Sequence, residues 1–218
     1  MSEKPAAATG LRARKKQRTY QAISDAAIAL FLERGFDAVP VADIAEAAEV
    51  SKPTLFRYFP AKEDMALYRL ADHEDEAARV VRERRPGQSP LAALEARFLA
   101  GLEAHDPVTG LSDAPQVLAF HRLLYGTPSL VARMHAYTAR SEDHLAAALA
   151  GPTPPDAPHA ELTARLAAGQ ILATQRILAL ENWRRISAGG TATAGLGTAR
   201  DEARHAFGLL REGHGSRY

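Results

Sequence analysis

Between Val41 and Lys62 the chain reads VADIAEAAEVSKPTLFRYFPAK, and Lys52, Thr54, Arg57 and Tyr58 fall close together inside it. Lysine and arginine neutralise phosphates or donate to the acceptor atoms of a base, while threonine and tyrosine hydroxyls bond the same groups without charge. Pro53 and Phe56 add apolar contact beside them, and Lys62 offers another ammonium a little further on. Such a set is selective only when it is held rigidly, because bonds to base edges tolerate little slack. Without that support it is an ordinary solvated face.

The flanking pattern supplies the support. Ile23, Ala26, Ala27, Leu30 and Phe31 recur at helical spacing and predict a first helix from about Gln17 to Arg34, with Gly35 ending it. Val41, Ile44, Ala45 and Ala48 predict a short second helix. Ser51 is an N-cap for a third, which turns Leu55 and Phe59 inward and stops at Pro60. The turn Glu49-Val50-Ser51 is tight enough for a helix-turn-helix corner, and the third helix is short enough to enter a major groove about 12 Å wide. These residues therefore point to duplex DNA.

Beyond this segment the sequence predicts helices over 62–85, from Pro90 through Leu91, Leu94, Phe98 and Leu102, up to Tyr125, along 128–149, over 161–186 and from Ala199 to about 211. Residues 105–114 read as a loop. Four prolines between Gly151 and Pro158 mark a linker, and the Gly/Ala/Thr-rich stretch 187–198 reads as a mobile loop. No strand is expected. The fold class is all-α, with about nine helices: an N-terminal three-helix helix-turn-helix domain and a larger helical domain. The expected division is a basic flexible arm over 1–16, the DNA-binding domain over 17–62, the larger domain over 63–212 and a tail over 213–218.

Composition narrows the function. A net charge of +1 hides an asymmetry, since Lys4, Arg12, Arg14, Lys15, Lys16 and Arg18 face only Glu3 in the first twenty residues. All five lysines lie at or before Lys62, so a polyanion is expected at the N-terminal end only. The absence of cysteine excludes disulfides, thiolate catalysis and zinc-thiolate sites. The start lacks the apolar core of a secretory signal and no apolar run approaches a membrane span, so the expected location is cytoplasmic. The eight histidines form no HExxH and no pair at metal-binding helical spacing, and no phosphate-binding GxxxxGK[ST] occurs. Ser141-Glu142-Asp143-His144 holds triad residue types, but adjacent helical positions point apart. No catalytic residue, cofactor or metal is expected. The alternative is a helical-bundle enzyme or carrier of small molecules with an incidental basic N-terminus.

Val41–Ala45, Val50–Phe59 and Lys62–Met65 together resemble the DNA-binding domain of TetR-family regulators, with a VADIA-like second helix, V-S-K-x-T-L-[YF]-x-[YH]-F, and a K-E-x-L-like start to helix four. The resemblance covers residues 17–70. Carried over position by position, it implies DNA contacts from Ala42, Lys52, Pro53, Thr54, Phe56, Arg57, Tyr58 and Lys62. Two departures weaken the backbone grip: Pro40 stands where a capping threonine is usual, and Phe56 where tyrosine is frequent. The basic arm at Arg12–Arg18 is expected to compensate by entering the flanking minor groove.

The resemblance also implies the rest of the protein's work. One short recognition helix reads few base pairs, so a homodimer on a palindromic operator is expected. Leu162, Leu166, Gly169, Ala173, Ile177 and Leu180 form one stripe of the 161–186 helix; periodicity fits either a partner helix or an internal core, and the resemblance selects the partner, joined by the helix at 198–211. An unknown small hydrophobic effector would be enclosed by residues drawn from Phe98, His121, Arg122, Tyr125, Met134, Tyr137, Gln175 and Trp183. The implied function is a sequence-specific transcriptional regulator, a repressor released by that effector.

Overall fold

The computed structural model describes residues 6–71, 73–151 and 159–213. Among these it holds ten α-helices, one 3-10 turn and no strand. The helices are α1 (Ala6–Arg34), α2 (Val41–Ala47), α3 (Lys52–Tyr58), α4 (Lys62–Ala71), α5 (Glu76–Arg82), α6 (Pro90–Glu103), α7 (Pro115–Gly126), α8 (Pro128–Ala150), α9 (Ala160–Ser187) and α10 (Ala192–Glu212), with the 3-10 turn at Pro107–Thr109. The chain divides into two compact units, Met1–Asp72 with Ala119–Met134, and His73–Leu118 with His135–Tyr218.

The first unit is built on α1, which runs 29 residues and begins eleven positions before the expected start at Gln17. Alanine, arginine, lysine and glutamine fill its first turns, and all are strong helix formers, so a lone Gly10 does not break it. Residues 1–5 of the expected arm lie outside the described residues. Gly35, at φ +85°, closes the helix as its N–H bonds the Phe31 carbonyl at 2.9 Å. Ile23, Ala27, Phe31, Ile44, Leu55, Phe59 and Met65 bury together, joined by Leu124 of α7 and Leu130 of α8. Polar clasps fix the register of this packing. Buried Ser24 donates to the Met65 carbonyl at 2.8 Å, and Arg133 of α8 meets the Asp64 carboxylate at 2.7 and 2.9 Å.

The second unit packs Val81, Leu94, Leu102, Leu111, Leu145, Ala168, Ala203 and Phe207 into its own core. Two sequence expectations are corrected here. The helix expected over 62–85 is two helices, α4 and α5, which raises the count to ten. Aspartate and histidine favour helix weakly, and the chain entering α5 delivers three consecutive carboxylates to three arginines: Glu74 to Arg140 at 3.0 Å, Asp75 to Arg79 at 3.2 Å and Glu76 to Arg97 at 2.6 Å. The loop expected over 187–198 shrinks to four residues, because α10 starts at Ala192. Thr191 caps that helix by accepting from the Ala194 N–H, and the Asp113 carboxylate accepts from the Ala192 N–H at 2.9 Å. The expected linker lies outside the described residues from 152 to 158, and so does the tail from 214.

Glu76 gives this unit an acid limit. Its carboxyl is held below the ordinary carboxylate range, first by the hydrogen bond with His73 and then by the Arg97 charge, against the opposing effect of burial. A depressed folded value means that the stability it contributes is present above the ordinary range and is lost as the pH falls below that range through the folded value. Glu76→Gln is therefore expected to lower the melting temperature at pH 7 by about 2–4 °C and to converge with the wild type as the pH falls below the ordinary carboxylate range. Parallel thermal melts across that range check it; a constant gap between the two curves would refute it.

Candidate nucleic-acid interface

Helix α3 is held from three directions. Its start is fixed by Ser51, in extended backbone, whose Oγ accepts from the Thr54 N–H at 3.2 Å and donates to the Thr54 Oγ1 at 2.9 Å. The corner before it closes through Glu49 at φ +54°, with the Ala48 N–H on the Ile44 carbonyl and the Val50 N–H on the Ala45 carbonyl, both at 2.9 Å. On the inner side, Leu55 is fully buried and Phe59 nearly so. Pro40 precedes α2 without a side-chain cap, which matches the weakness seen in the sequence.

An aromatic hub, missed in the sequence, braces the far end of α3. The ring of Tyr20 on α1 meets Tyr58 edge-on at 4.8 Å, Phe59 edge-on at 5.2 Å and Tyr68 of α4 in a stack at 5.3 Å. Tyr20 lies three residues before Ile23, in register with the buried face of α1, and that spacing was the available signal. Lys16 places its ammonium 5.8 Å from the same ring.

The outer side of α3 then presents Lys52, Pro53, Phe56 and Arg57, all exposed, with Phe56 at 48%. Positions 52, 56 and 53, 57 are successive turns of one face, so two cations and two apolar groups stand together. Thr54 and Tyr58 are half-buried at its margins, and Ala42 is half-buried in the first turn of α2. The Arg57 guanidinium lies 5.7 Å from the Tyr58 ring. Lys62 is turned away from this face. Its Nζ donates to the Phe36 carbonyl and sits 4.4 Å from the Phe36 ring and 5.3 Å from the Phe31 ring. A short, rigid helix with exposed donors and no acid in its first turn is what a major groove accepts.

Residues 23–68, from the middle of α1 to α4, match the family described as "Bacterial regulatory proteins, tetR family". Over 135 residues the chain is 36% identical to the HTH-type transcriptional regulator TcmR of Streptomyces glaucescens, covering 62% of this chain. Residues 23–68 therefore carry the likeness to this family, on the helices that position α3. The chain spans 58% of the length of TcmR and 22–25% of three other regulators that it matches. The likeness in fold extends further than these alignments. A TetR-family regulator of Streptomyces coelicolor superposes over 97% of this chain and 99% of its own, with a TM-score of 0.52 at 23% identity. NalD of Pseudomonas aeruginosa does so over 87% and 97%, with a TM-score of 0.55 at 19% identity.

The residues expected around an effector divide between the two units. His121, Arg122, Tyr125 and Met134 belong to the first, and Phe98, Tyr137, Gln175 and Trp183 to the second. His121 and Tyr125 are neighbours one turn apart on α7, with ring centroids 6.0 Å apart, and burial pushes the His121 imidazole towards its neutral form. Met134 packs on the first core, whereas Arg122 is exposed. Phe98 lies in the second core, 6.2 Å from Phe207. Tyr137 carries the Arg140 guanidinium 4.8 Å from its ring, and Gln175 and Trp183 are half-buried on α9. Among the described residues no cluster of histidine and carboxylate side chains could hold a metal, and no helix is long and apolar enough to cross a membrane.

Proposed function

We propose that this chain is a TetR-family, sequence-specific DNA-binding transcriptional regulator, a repressor that a small hydrophobic effector releases from its operator. The observation that carries the reading is the outer face of α3, where Lys52, Pro53, Phe56 and Arg57 stand exposed side by side on a helix whose other face is locked. Ala42, Thr54 and Tyr58 complete the contact set. Segment 17–62 does the binding, and 63–212 receives the signal and dimerises. A regulator of the chromosome works in the cytoplasm and needs no catalytic group.

The basic residues of α1 fit this reading in a changed form. An α-helix 10–12 Å across does not enter a minor groove about 6 Å wide, so Arg14, Lys15, Lys16 and Arg18, all exposed, are proposed to meet flanking phosphates instead. The homodimer is proposed to form through α9 and α10. NalD is described as "the secondary repressor of MexAB-OprM multidrug efflux pump", and repression is proposed for this chain by the same logic. Effector binding would shift dimers towards a state in which the two recognition helices no longer match successive grooves, which requires tighter binding to that state.

Genomic footprinting with purified protein is expected to reveal a protected palindrome. On that duplex, Lys52→Ala combined with Thr54→Ala is expected to cost at least about 30-fold in affinity, because each good base contact contributes about 1–3 kcal/mol and two are removed. Unchanged selective affinity in a folded double variant would remove the reading's foundation.

A further inference from the structure

Lys62 is an expected phosphate ligand whose ammonium is already bonded to a backbone carbonyl. Its ammonium donates to the backbone carbonyl of Phe36 and lies against the rings of Phe36 and Phe31, at 4.4 and 5.3 Å from their centroids. Cation–π attraction and a charge-assisted bond to a carbonyl act together there. The cage is made of core residues, since Phe31 and Phe36 are both buried and tilt against each other at 4.8 Å. Desolvation lowers the lysine's pKa from its ordinary range, while the Asp37 and Glu63 carboxylates oppose that shift and favour the charged form.

The position of the cage gives it leverage. Phe36 follows the α1-ending Gly35 and precedes α2, and its carbonyl also accepts from the Val39 N–H at 3.4 Å. Lys62 is the first residue of α4. The lysine therefore ties the segment entering α2 to the segment leaving α3. Helix α3 lies in the chain between those two fixed points. Another cross-tie of the first unit, buried Ser24 to the Met65 carbonyl, joins α1 to α4 and leaves the α1–α2 turn untouched.

We infer that Lys62 is a positioning residue, which sets where α3 lies by pinning the first turn of α4 to the α1–α2 turn, and that it is not a phosphate anchor. The inference rests on the regulator reading for its functional meaning but makes a separate structural claim. An ammonium spent on a carbonyl and two ring faces releases no DNA counterion when the operator binds. Its loss lowers affinity without changing the salt dependence.

The test compares Lys62→Met, Lys62→Arg and Phe36→Leu on the footprinted operator duplex, by fluorescence anisotropy across a series of salt concentrations. Thermal melts first establish that each variant is folded at the assay temperature. Lys62→Met keeps the stem and is expected to lose about tenfold in affinity at every salt concentration with the wild-type slope, the scale of one lost charge-assisted bond. Lys62→Arg is expected to recover most of the loss, because guanidinium can donate to the carbonyl and stack on the rings. Phe36→Leu opens the cage with the lysine in place and is expected to reproduce the loss. A slope shallower by about 0.9 in Lys62→Met would mark a phosphate contact and overturn the inference, as would full affinity in that variant. Amide exchange separates this failure from failure of the regulator reading. If the wild type protects no duplex, faster exchange over 36–39 and 55–59 in Lys62→Met still supports the positioning role, and unchanged exchange overturns it.

Discussion

Replacing Gly110 by alanine is expected to lower the stability of the second unit by about 3 kcal/mol, roughly 6–12 °C in melting temperature for a chain of this length. Gly110 has φ +72°, and a β-carbon there would overlap the carbonyl oxygen of Ala179 on α9. The left-handed backbone costs an L-residue roughly 1–2 kcal/mol by itself. The overlap is with backbone, so no side-chain rotation relieves it. The loop must instead withdraw from α9, and its anchor would go with it. Asn182, only 1% exposed, donates to the Thr109 carbonyl at 2.9 Å while its Oδ1 accepts from Arg185 at 2.6 Å. Arg185 in turn meets the Glu202 carboxylate of α10 at 2.8 and 2.6 Å. Stranding a buried amide costs about 1–3 kcal/mol more. Gly126→Ala is the control, since that glycine ends α7 without a left-handed backbone and with nothing near its β-position, and is expected to be neutral or slightly stabilising. Thermal melts of the two variants decide it; a Gly110→Ala curve within about 2 °C of wild type would mean that the loop is not held as described.

How much of this was legible in the sequence depended on how local the cause was. Ser51, Leu55, Phe59 and Pro60 define α3 within ten residues, because a cap, a buried anchor and a stop are local signals, and the observed helix, Lys52–Tyr58, fits them closely. The turn from α9 into α10 was misread for the opposite reason. Gly195 and Gly197 resemble loop residues, but the helix is fixed from a distance by Asp113, and a β-carbon at Gly195 would crowd the Leu111 side chain at 3.2 Å. The same distance problem hid the break between α4 and α5. Nothing within Asp72–Asp75 says that Arg140 waits on α8. Lys62 is a sharper case, since family resemblance pointed its side chain outward, while the carbonyl that holds it lies 26 residues away. The effector set fared differently again: aromatic side chains at helical spacing fit a cavity and a core equally well, and Phe98 went to the core against Phe207.

Leu162→Glu combined with Ile177→Glu is expected to leave the chain folded, to make it monomeric and to cost about 10²–10⁴ in operator affinity. The argument starts from what the chain leaves uncovered. Of the large apolar side chains more than half exposed among the described residues, Leu162 at 54%, Leu166 at 56% and Ile177 at 52% are all on α9. They share a stripe with Gly169 and Ala173, and an exposed apolar stripe of this kind marks an association surface. Gly169 reinforces this, because mid-helix glycine costs about 0.5–1 kcal/mol and no atom of its own chain comes near enough to require it. Gly197 and Gly208 on α10 are open in the same way. A second copy packed on these helices would account for all three glycines by close approach of backbones. Two charges placed on such a surface would be desolvated without partners in the dimer and freely hydrated in the monomer. The monomer's own core is untouched, so its melt serves as the fold control. Each monomer would then bind a half-site without the effective concentration that its tethered partner provides. Sedimentation velocity and anisotropy on the operator measure both consequences together. A wild-type chain that is monomeric at micromolar concentration, or a double variant that stays dimeric with full affinity, would assign the exposed stripe of α9 to some other purpose.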